Sequence, residues 1–582
     1  CRNVGFSGVF RMSSGLPATF ELLASTANEA AVPVLVVALD SSQGDIRELA
    51  FSALLRRHSL AAEGEILRQW DSLCDRWKGQ IAARDGWISG AIRQALLRSD
   101  PEHYERGCAA AVFTRDYDLI PVLVAAAENK TSPHQTHAAA TVLELAELLA
   151  DELAAPRDYR VRRDPRLQRQ HLIGSLERAA AQFEQHGRRE LLEALILLAD
   201  RENAVLKRIL QSPTERNFVP LIETLVHSSR PAAMRLLLSY LDDPHAPLAA
   251  LHALVRRRDI SFLRQFARKV GSEPSRTLRT NLHRIETIPW IADQLSLLDA
   301  FNESEQPGVV QIAALSGIAR QSAFEVLAYV LRHGKVAGRR VAARALAAFA
   351  GAAANQLALR SLQDEDPEVR ASVARQLRDR GVPAAINRLI ALLDSSHQCE
   401  REAAQQSLEE FRFSNFTANF DSLTEESRQA TGPLVRRVDP QALVELRLEL
   451  DAPSRGRRKR ALEMVVAMDA VTVLHDAVAM LLKDEDQFLR VETVRVLATS
   501  DSTGTRALLR DALLDPHPLV AEAAEAALAQ LAAVWASKTA QGQGPADIEM
   551  AEETASAQPQ ATEALAATTP WSELTAATNA ES

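Results

Sequence analysis

Apolar residues along most of this chain recur at three- and four-residue intervals, the spacing that places side chains on one face of an α-helix. Between the apolar segments lie short polar stretches. The clearest example is 362–377, Leu-Gln-Asp-Glu-Asp-Pro-Glu-Val-Arg-Ala-Ser-Val-Ala-Arg-Gln-Leu, and a similar segment stands at 482–497. Each predicts the end of one helix, a tight turn and the start of a second helix.

This motif returns at a nearly constant interval. Its arginine is followed by small or apolar residues three and seven positions later, as in Val373 and Leu377 after Arg370. The anchors are Arg339, Arg370, Arg401, Arg428, Arg458, Arg490 and the equivalent Ala521, at intervals of 31, 31, 27, 30, 32 and 31 residues. Repeats of this length stack into arrays because one unit cannot bury its apolar face alone. The sequence predicts an all-α solenoid of about a dozen helical hairpins.

The turn residues of the motif have a structural explanation. An Asp before a helix accepts hydrogen bonds from the amides that open it, and Pro fits the first helical position. Pro367 follows Asp366 and Pro516 follows Asp515, so both predict helix starts. The motif arginine is expected to reach an acidic partner in its own turn or the neighbouring one.

The repeat is less regular elsewhere. Segments 153–170 and 301–308 predict loops, and Gly432 and Pro433 predict an interrupted helix in the unit around Arg428. The predicted organisation is 1–11 upstream residues before an initiator Met12, 12–150 N-terminal repeats, 151–183 an Arg-rich insertion and helix, 184–329 divergent repeats, 330–538 regular repeats and 539–582 a disordered acidic tail.

Segments 362–377 and 482–497 resemble the HEAT repeat, especially bacterial HEAT-like repeats of the phycobilisome-lyase type. The resemblance implies a superhelix in which first helices line the convex side and second helices the concave side. It also implies that the concave side holds another protein. The second helices are then expected to begin near Val369, Glu400, Leu489 and Val520.

Searches for chemistry in the sequence yield little. The closest histidine pairs are His134 with His137 and His245 with His252, and neither has a Glu or Cys at ligand spacing. HEAT-repeat hydroxylases, which resemble this fold, bind iron through His-Glu dipeptides, and this chain has none. Phosphate-binding glycine loops and nucleophile elbows are also absent. The sequence therefore predicts no enzyme, no cofactor and no metal site.

Basic clusters are the main alternative lead. The net charge is −9. The segment from residue 539 onward has seven acidic residues and no Lys or Arg, so the rest of the chain has a net charge near −2. Arg-rich segments can neutralise phosphates, although neighbouring carboxylates dilute them and solvated faces are the simpler explanation. The candidate interaction residues are Arg160, Arg162, Arg163, Arg166, Arg455, Arg457, Arg458, Lys459 and Arg460, together with Trp571 as a docking residue in the tail.

Three further features bear on the class of protein. Trp70, Trp77 and Trp87 lie close in sequence, and either pack in a core or form an exposed anchor for a partner. The four cysteines form no Cys-x-x-Cys pair, and no stretch of 18 apolar residues occurs. We therefore expect a cytoplasmic protein with no membrane contact.

The leading functional hypothesis is a non-catalytic scaffold or adaptor that binds another protein through its concave face. The alternative is a nucleic-acid-binding or phosphate-binding protein that uses the Arg-rich segments.

Overall fold

The computed structural model describes residues 15–98, 100–156, 163–293, 295–500 and 502–540. Over these ranges the chain is all-α, with no β-strand, as the sequence predicts. It divides into two compact units, with the boundary between Gly338 and Arg339. None of the helices found in these ranges is long and apolar enough to span a membrane.

The first unit consists of short α-helices joined by tight turns. The helices are α1 (Gly15–Ser25), α2 (Ala31–Leu39), α3 (Gly44–Arg56), α4 (Leu60–Arg68), α5 (Asp75–Ala82), α6 (Ser89–Leu96), α7 (Pro101–Thr114), α8 (Ile120–Glu128), α9 (Gln135–Ala154), α10 (Pro165–Ala181), α11 (Phe183–His186), α12 (Arg189–Leu198), α13 (Ala204–Gln211), α14 (Phe218–His227), α15 (Pro231–Ser239), α16 (Leu248–Arg256), α17 (Ile260–Val270), α18 (Arg276–His283), α19 (Pro289–Asp293), α20 (Gln306–Leu315) and α21 (Arg320–His333). Short 3-10 helices lie at Trp70–Ser72, Tyr117–Leu119, Tyr240–Asp242 and Leu295–Ala300.

Helix α22 (Val336–Ala345) contains the boundary, and the second unit continues the same pattern. Its helices are α23 (Ala352–Ser361), α24 (Pro367–Ala374), α25 (Ala385–Leu392), α26 (Gln398–Ser407), α27 (Phe413–Asn419), α28 (Glu425–Val438), α29 (Ala442–Leu450), α30 (Arg455–Ala467), α31 (His475–Met480), α32 (Gln487–Leu497), α33 (Thr503–Ala512) and α34 (Pro518–Ala540). Its 3-10 helices lie at Leu346–Ala348, Glu409–Phe411, Phe420–Ser422 and Leu481–Lys483.

Consecutive helices pair as hairpins, and the hairpins stack. In the second unit, second helix α30 packs on its own first helix α29 and on the neighbouring second helices α28 and α32. Buried apolar side chains fill these contacts, for example Val465 of α30 and Val494 and Leu497 of α32. This is the packing of an α-solenoid, in which each hairpin buries its apolar faces against its neighbours. Helices α24, α26, α32 and α34 begin two residues before the positions expected for second helices.

The motif arginines connect successive hairpins of the second unit through ion pairs. Arg490 donates from Nε and Nη2 to the two carboxylate oxygens of Asp515 in the next turn, at 2.8 and 2.9 Å. Its Nη1 donates to the carbonyl oxygen of Asp484 in its own turn at 2.9 Å. Arg458 pairs with the carboxylate of Asp484 in the same way. The arginine therefore joins two turns, as the sequence predicts.

We call these contacts the arginine ladder, which comprises the pairs Arg339–Asp364, Arg370–Glu400, Arg458–Asp484 and Arg490–Asp515. All eight side chains are largely buried, and most of the pairs are bidentate. Charge-assisted bidentate bonds are stronger than neutral ones and fix the orientation of both partners. The ladder therefore sets the relative position of adjacent second helices.

The ladder has a gap in its middle. Arg401 donates to the carbonyl oxygen of Ser395 in its own turn, but the position in the next turn that would hold a carboxylate is Ser422. Arg428 instead donates to the carbonyl oxygen of Phe420 and stacks over its ring, 4.2 Å from the ring centroid. Its Nη1 atom also lies 3.6 Å from the Oε2 atom of Glu463 in α30, so backbone, aromatic and longer ionic contacts replace the bidentate pair here.

The predicted helix interruption at Gly432 and Pro433 is wrong, because α28 runs through both residues. A glycine is needed here for close packing. A Cβ at position 432 would overlap the carbonyl oxygen of Ala467, at the end of α30. The sequence signal that suggested a broken helix therefore marks a close contact between two helices.

Three other boundaries also differ from the prediction. Helix α9 reaches Ala154 and α10 begins at Pro165, so much of the predicted loop 153–170 is helical, while 157–162 lie outside the described residues. Likewise, α20 begins at Gln306, inside the predicted loop 301–308. In both cases a proline within the predicted loop stands at the first or second position of a helix and favours its start.

The third difference concerns the last hairpin. Pro516 lies in the turn, and α34 begins at Pro518 and extends to Ala540, two residues into the predicted tail. The remaining tail, 541–582, and residues 1–14 lie outside the described residues.

Buried arginines also stabilise the first unit, by a different contact. Arg257 follows α16 and donates to the carbonyl oxygens of Leu225 and Ser228 at the end of α14, each at 2.8 Å. Arg57 follows α3 and binds carbonyl oxygens at the end of α1. Carbonyls at a helix C-terminus lack intrahelical partners, so a guanidinium there satisfies them and interacts favourably with the helix dipole. The sequence patterns did not reveal this contact.

The ladder leads to a first prediction. Arg490→Gln should lower the free energy of unfolding by about 2 kcal/mol, because it removes charge-assisted bonds and leaves the largely buried carboxylate of Asp515 without its partner. Hydrogen exchange should accelerate in α33 and α34 and stay unchanged in the first unit. The control Arg510→Gln removes an exposed arginine of α33 and should change stability by less than about 0.5 kcal/mol. Equal effects of the two variants would argue against the ladder.

A second prediction concerns pH. The hydrogen bonds from Arg490 lower the pKa of Asp515, and those from Arg340 lower the pKa of Asp366. A carboxylate whose pKa is lowered by folding stabilises the folded state above its unfolded pKa, and this contribution disappears as pH falls through the lowered value. The stability difference between wild type and Arg490→Gln should therefore be full at neutral pH and shrink below about pH 4. Urea denaturation of both proteins across this range measures it, and a difference independent of pH would contradict the assignment.

A third prediction tests the contact at Gly432. Gly432→Ala should destabilise the second unit by about 2 kcal/mol or more, because α28 and α30 would have to separate. The control is Gly456→Ala, since only one atom approaches a Cβ there, at 3.9 Å, in the first turn of α30. That change should be neutral or stabilising by up to about 1 kcal/mol. Thermal unfolding followed by circular dichroism compares the two.

Candidate interaction surface

A groove crosses the exposed side of four successive second helices, α28, α30, α32 and α34. Two depressions of about 630 and 250 Å³ form it, and they share Lys459, Glu492 and Arg495. We call it the second-helix groove. Its further lining residues are Glu425, Arg428, Arg455, Leu462, Glu463, Val466, Phe488, Leu489, Val491, Val496, Thr499, Leu519, Glu522 and Ala523.

The groove combines exposed apolar side chains with charges of both signs. Phe488 is 52% exposed and Leu519 is 45% exposed. Arg455 donates to the Oδ2 atom of Asp486 at 2.7 Å and lies over the Phe488 ring at 5.5 Å. Asp486 also caps α32 by accepting from the amides of Phe488 and Leu489. The cap and the guanidinium thus hold the phenyl ring in place at the edge of the groove.

The predicted basic cluster at 455–460 does not form one patch. Only Arg455 and Lys459 line the second-helix groove. Arg457 pairs with Glu449 of first helix α29, Arg458 belongs to the arginine ladder, and Arg460 pairs with Asp421 of the preceding hairpin. Lys459 lies 3.8 Å from Glu463. Each of these cations therefore has a carboxylate neighbour.

The other predicted basic segment belongs to the first unit. Arg163 pairs with Asp118 at 2.9 Å and Arg169 pairs with Asp200 at 2.8 Å. The Arg166 side chain is exposed in the first turn of α10. Three predicted interaction residues, Arg160, Arg162 and Trp571, lie outside the described residues.

The tryptophans of the first unit are mainly core residues. Trp70 and Trp87 are buried, and Trp70 packs edge-on against Phe113. The half-buried Trp77 stacks on Phe51 with ring centroids 4.5 Å apart. The packing interpretation of this cluster is therefore confirmed.

The predicted histidine pairs have different surroundings. His134 stacks on the buried Tyr104, and His137 meets the same ring edge-on. His245 and His252 lie in a groove of the first unit. Across the residues that the structure describes, no three His, Cys, Asp or Glu side chains gather as a metal site would require. Burial raises the pKa of the Cys108 thiol to about 11, so this cysteine is a poor nucleophile at neutral pH.

Comparison with known proteins agrees with the HEAT resemblance over part of the chain. Residues 324–409 match the family model of HEAT repeats. The match and the stacked hairpins together support a HEAT-repeat solenoid. The finer likeness to the phycobilisome-lyase type remains a prediction. A comparison with curated protein sequences finds no match.

Several solved structures are similar to this chain at low identity. An engineered protein is 17% identical, with 86% of this chain and 98% of that chain covered and a TM-score of 0.16. Kap95p, in a structure with RanGDP, is 11% identical, with coverage of 90% and 82% and a TM-score of 0.23. The karyopherin Kap121p, bound to the SUMO protease Ulp1p, is 12% identical, with coverage of 87% and 75% and a TM-score of 0.18. Scores this low carry no argument about function.

Proposed function

We propose that this protein is a non-catalytic scaffold or adaptor that binds another protein along the second-helix groove. The observation that carries the proposal is the pair of exposed apolar side chains, Phe488 and Leu519, inside a groove with a charged rim. Protein interfaces concentrate their binding energy in a few large side chains that are surrounded by polar residues.

The charges of the groove favour a protein partner over a nucleic acid. Lys459 and Arg495 face Glu492 and Glu522 in the same depression, so the surface is not uniformly positive. Binding to a phosphate backbone needs several cations that neutralise phosphates and so release the counterions condensed on the nucleic acid. The carboxylate neighbours of the cluster at 455–460 weaken the alternative of nucleic-acid or phosphate binding.

The solenoid gives the mechanism its physical basis. Each second helix offers only a few side chains, so a partner gains affinity by contacting several hairpins at once. Such binding requires adjacent helices to hold a fixed spacing. The arginine ladder supplies this between α30, α32 and α34 through Arg458 and Arg490.

The proposal predicts a loss of binding when the two apolar anchors are removed. The full chain should retain a stoichiometric partner from native lysate, and Phe488→Ser with Leu519→Ser should reduce its recovery at least tenfold, since buried aromatic and aliphatic anchors contribute about 2 kcal/mol or more. Quantitative mass spectrometry of the captured proteins measures this.

The matched control is Leu514→Ser, which removes a more exposed leucine, at 85%, from a turn outside the groove. Its recovery of the partner should equal that of wild type. The proposal fails if no stoichiometric partner is retained, or if the partner is retained equally by the groove variant.

A further inference from the structure

A second groove, of about 910 Å³, lies in the first unit between the helices α13, α14 and α16 and the segment 284–289. Its floor is apolar and includes the buried side chains of Leu210, Ile222, Ala253 and Val255. Leu248, at the start of α16, is 45% exposed at its edge. A volume of this size lies within the range of ligand-binding pockets, about 300–1,000 Å³.

The rim of this groove carries positive and titratable groups. Arg256, Arg284, His245 and His252 line it, and no Asp or Glu is among its described lining residues. That absence is informative in a chain with 76 acidic residues and 67 Lys and Arg. By contrast, acidic side chains line every part of the second-helix groove.

Two carboxylates that flank the groove in sequence are paired with other cations, whereas Glu286, within the segment 284–289, is exposed and does not line the groove. Asp243 lies 3.3 Å from the Nζ atom of Lys207, and Asp259 binds Arg257 at 2.9 Å. The Arg284 guanidinium donates only to the amide oxygen of Asn281 in the described contacts. The cations at the rim therefore keep their charge available to a ligand.

The groove is distinct from the surface of the proposed function. Helices α14 and α16 pack against each other within the first unit, whereas the second-helix groove lies on helices of the second unit. The groove also brings together residues that have no evident relation in the sequence. His245 and His252, considered as a metal pair, and Arg256, in the last turn of α16, converge on it.

We propose that this groove binds an acidic amphipathic helix of a partner protein. Its apolar side chains would cover the floor of Leu210, Ile222 and Val255, and its carboxylates would face Arg256 and Arg284. A helix that lays its apolar face into a groove between other helices is a common mode of peptide recognition. Charge complementarity at the rim selects acidic sequences and excludes basic ones. This inference goes beyond the proposed function, because it concerns another surface and specifies the partner's chemistry.

The test uses the full chain and a fluorescent synthetic peptide with Leu and Trp on one helical face and Glu on the other. Fluorescence anisotropy should show saturable binding that weakens as salt is raised. A peptide with Lys in place of Glu, and one with Ser in place of Leu and Trp, should not bind. Arg256→Glu should weaken binding about tenfold through like-charge repulsion, and Leu248→Asp should do so by a similar factor.

Controls separate the groove from general charge and from the other surface. Arg332→Glu reverses an exposed arginine in the last turn of α21, just as Arg256 lies in the last turn of α16, and should leave binding unchanged. The double variant Phe488→Ser with Leu519→Ser should also bind the peptide normally. A defect in the second-helix groove can therefore be told apart from a defect in this groove. The inference is overturned if the Glu peptide does not bind saturably, if the Lys peptide binds equally well, or if Arg256→Glu has no effect.

Discussion

Both ends of the second unit depend on one repeated interaction, the ion pair between a motif arginine and a carboxylate of the next hairpin. A hairpin of two short helices cannot bury its apolar faces alone, so neighbours must stack in a defined register. Apolar packing is not directional, whereas a bidentate guanidinium–carboxylate pair is. In the ladder, Arg458 and Arg490 each join two turns and so align α30, α32 and α34. The second-helix groove crosses these same helices, so its continuity rests on this alignment.

The fold could be predicted from sequence because its determinants are local and periodic. The spacing of apolar residues specified the helices, and the interval between arginines specified the hairpins. Even the contact of Arg490 with the next turn follows from the motif, since an Asp occupies the same turn position at 364, 484 and 515. One error occurred where the reason for a residue is not local. Gly432 predicts a helix break from sequence, but in the structure its missing Cβ allows the carbonyl oxygen of Ala467 in another helix to approach closely.

The candidate sites were much less predictable. A run of basic residues at 455–460 looks like one patch in sequence, yet consecutive helical positions point in different directions, and the five side chains contact four different elements. Conversely, His245 and Arg256 are eleven residues apart and share a groove with Arg284, which no spacing rule connects to them. Exposed anchors such as Phe488 are equally hard to identify from sequence, because a buried and an exposed phenylalanine of a helix look the same there.

The central claim is that the arginine–carboxylate pairs couple adjacent hairpins, and a double-mutant cycle on Arg490 and Asp515 tests it most directly. The cycle compares the unfolding free energies of wild type, Arg490→Gln, Asp515→Asn and the double variant. For a largely buried bidentate pair we expect a coupling energy of about 1–3 kcal/mol. Independent, additive effects of the two substitutions would contradict the account, because the hairpins would then be held together by apolar packing alone.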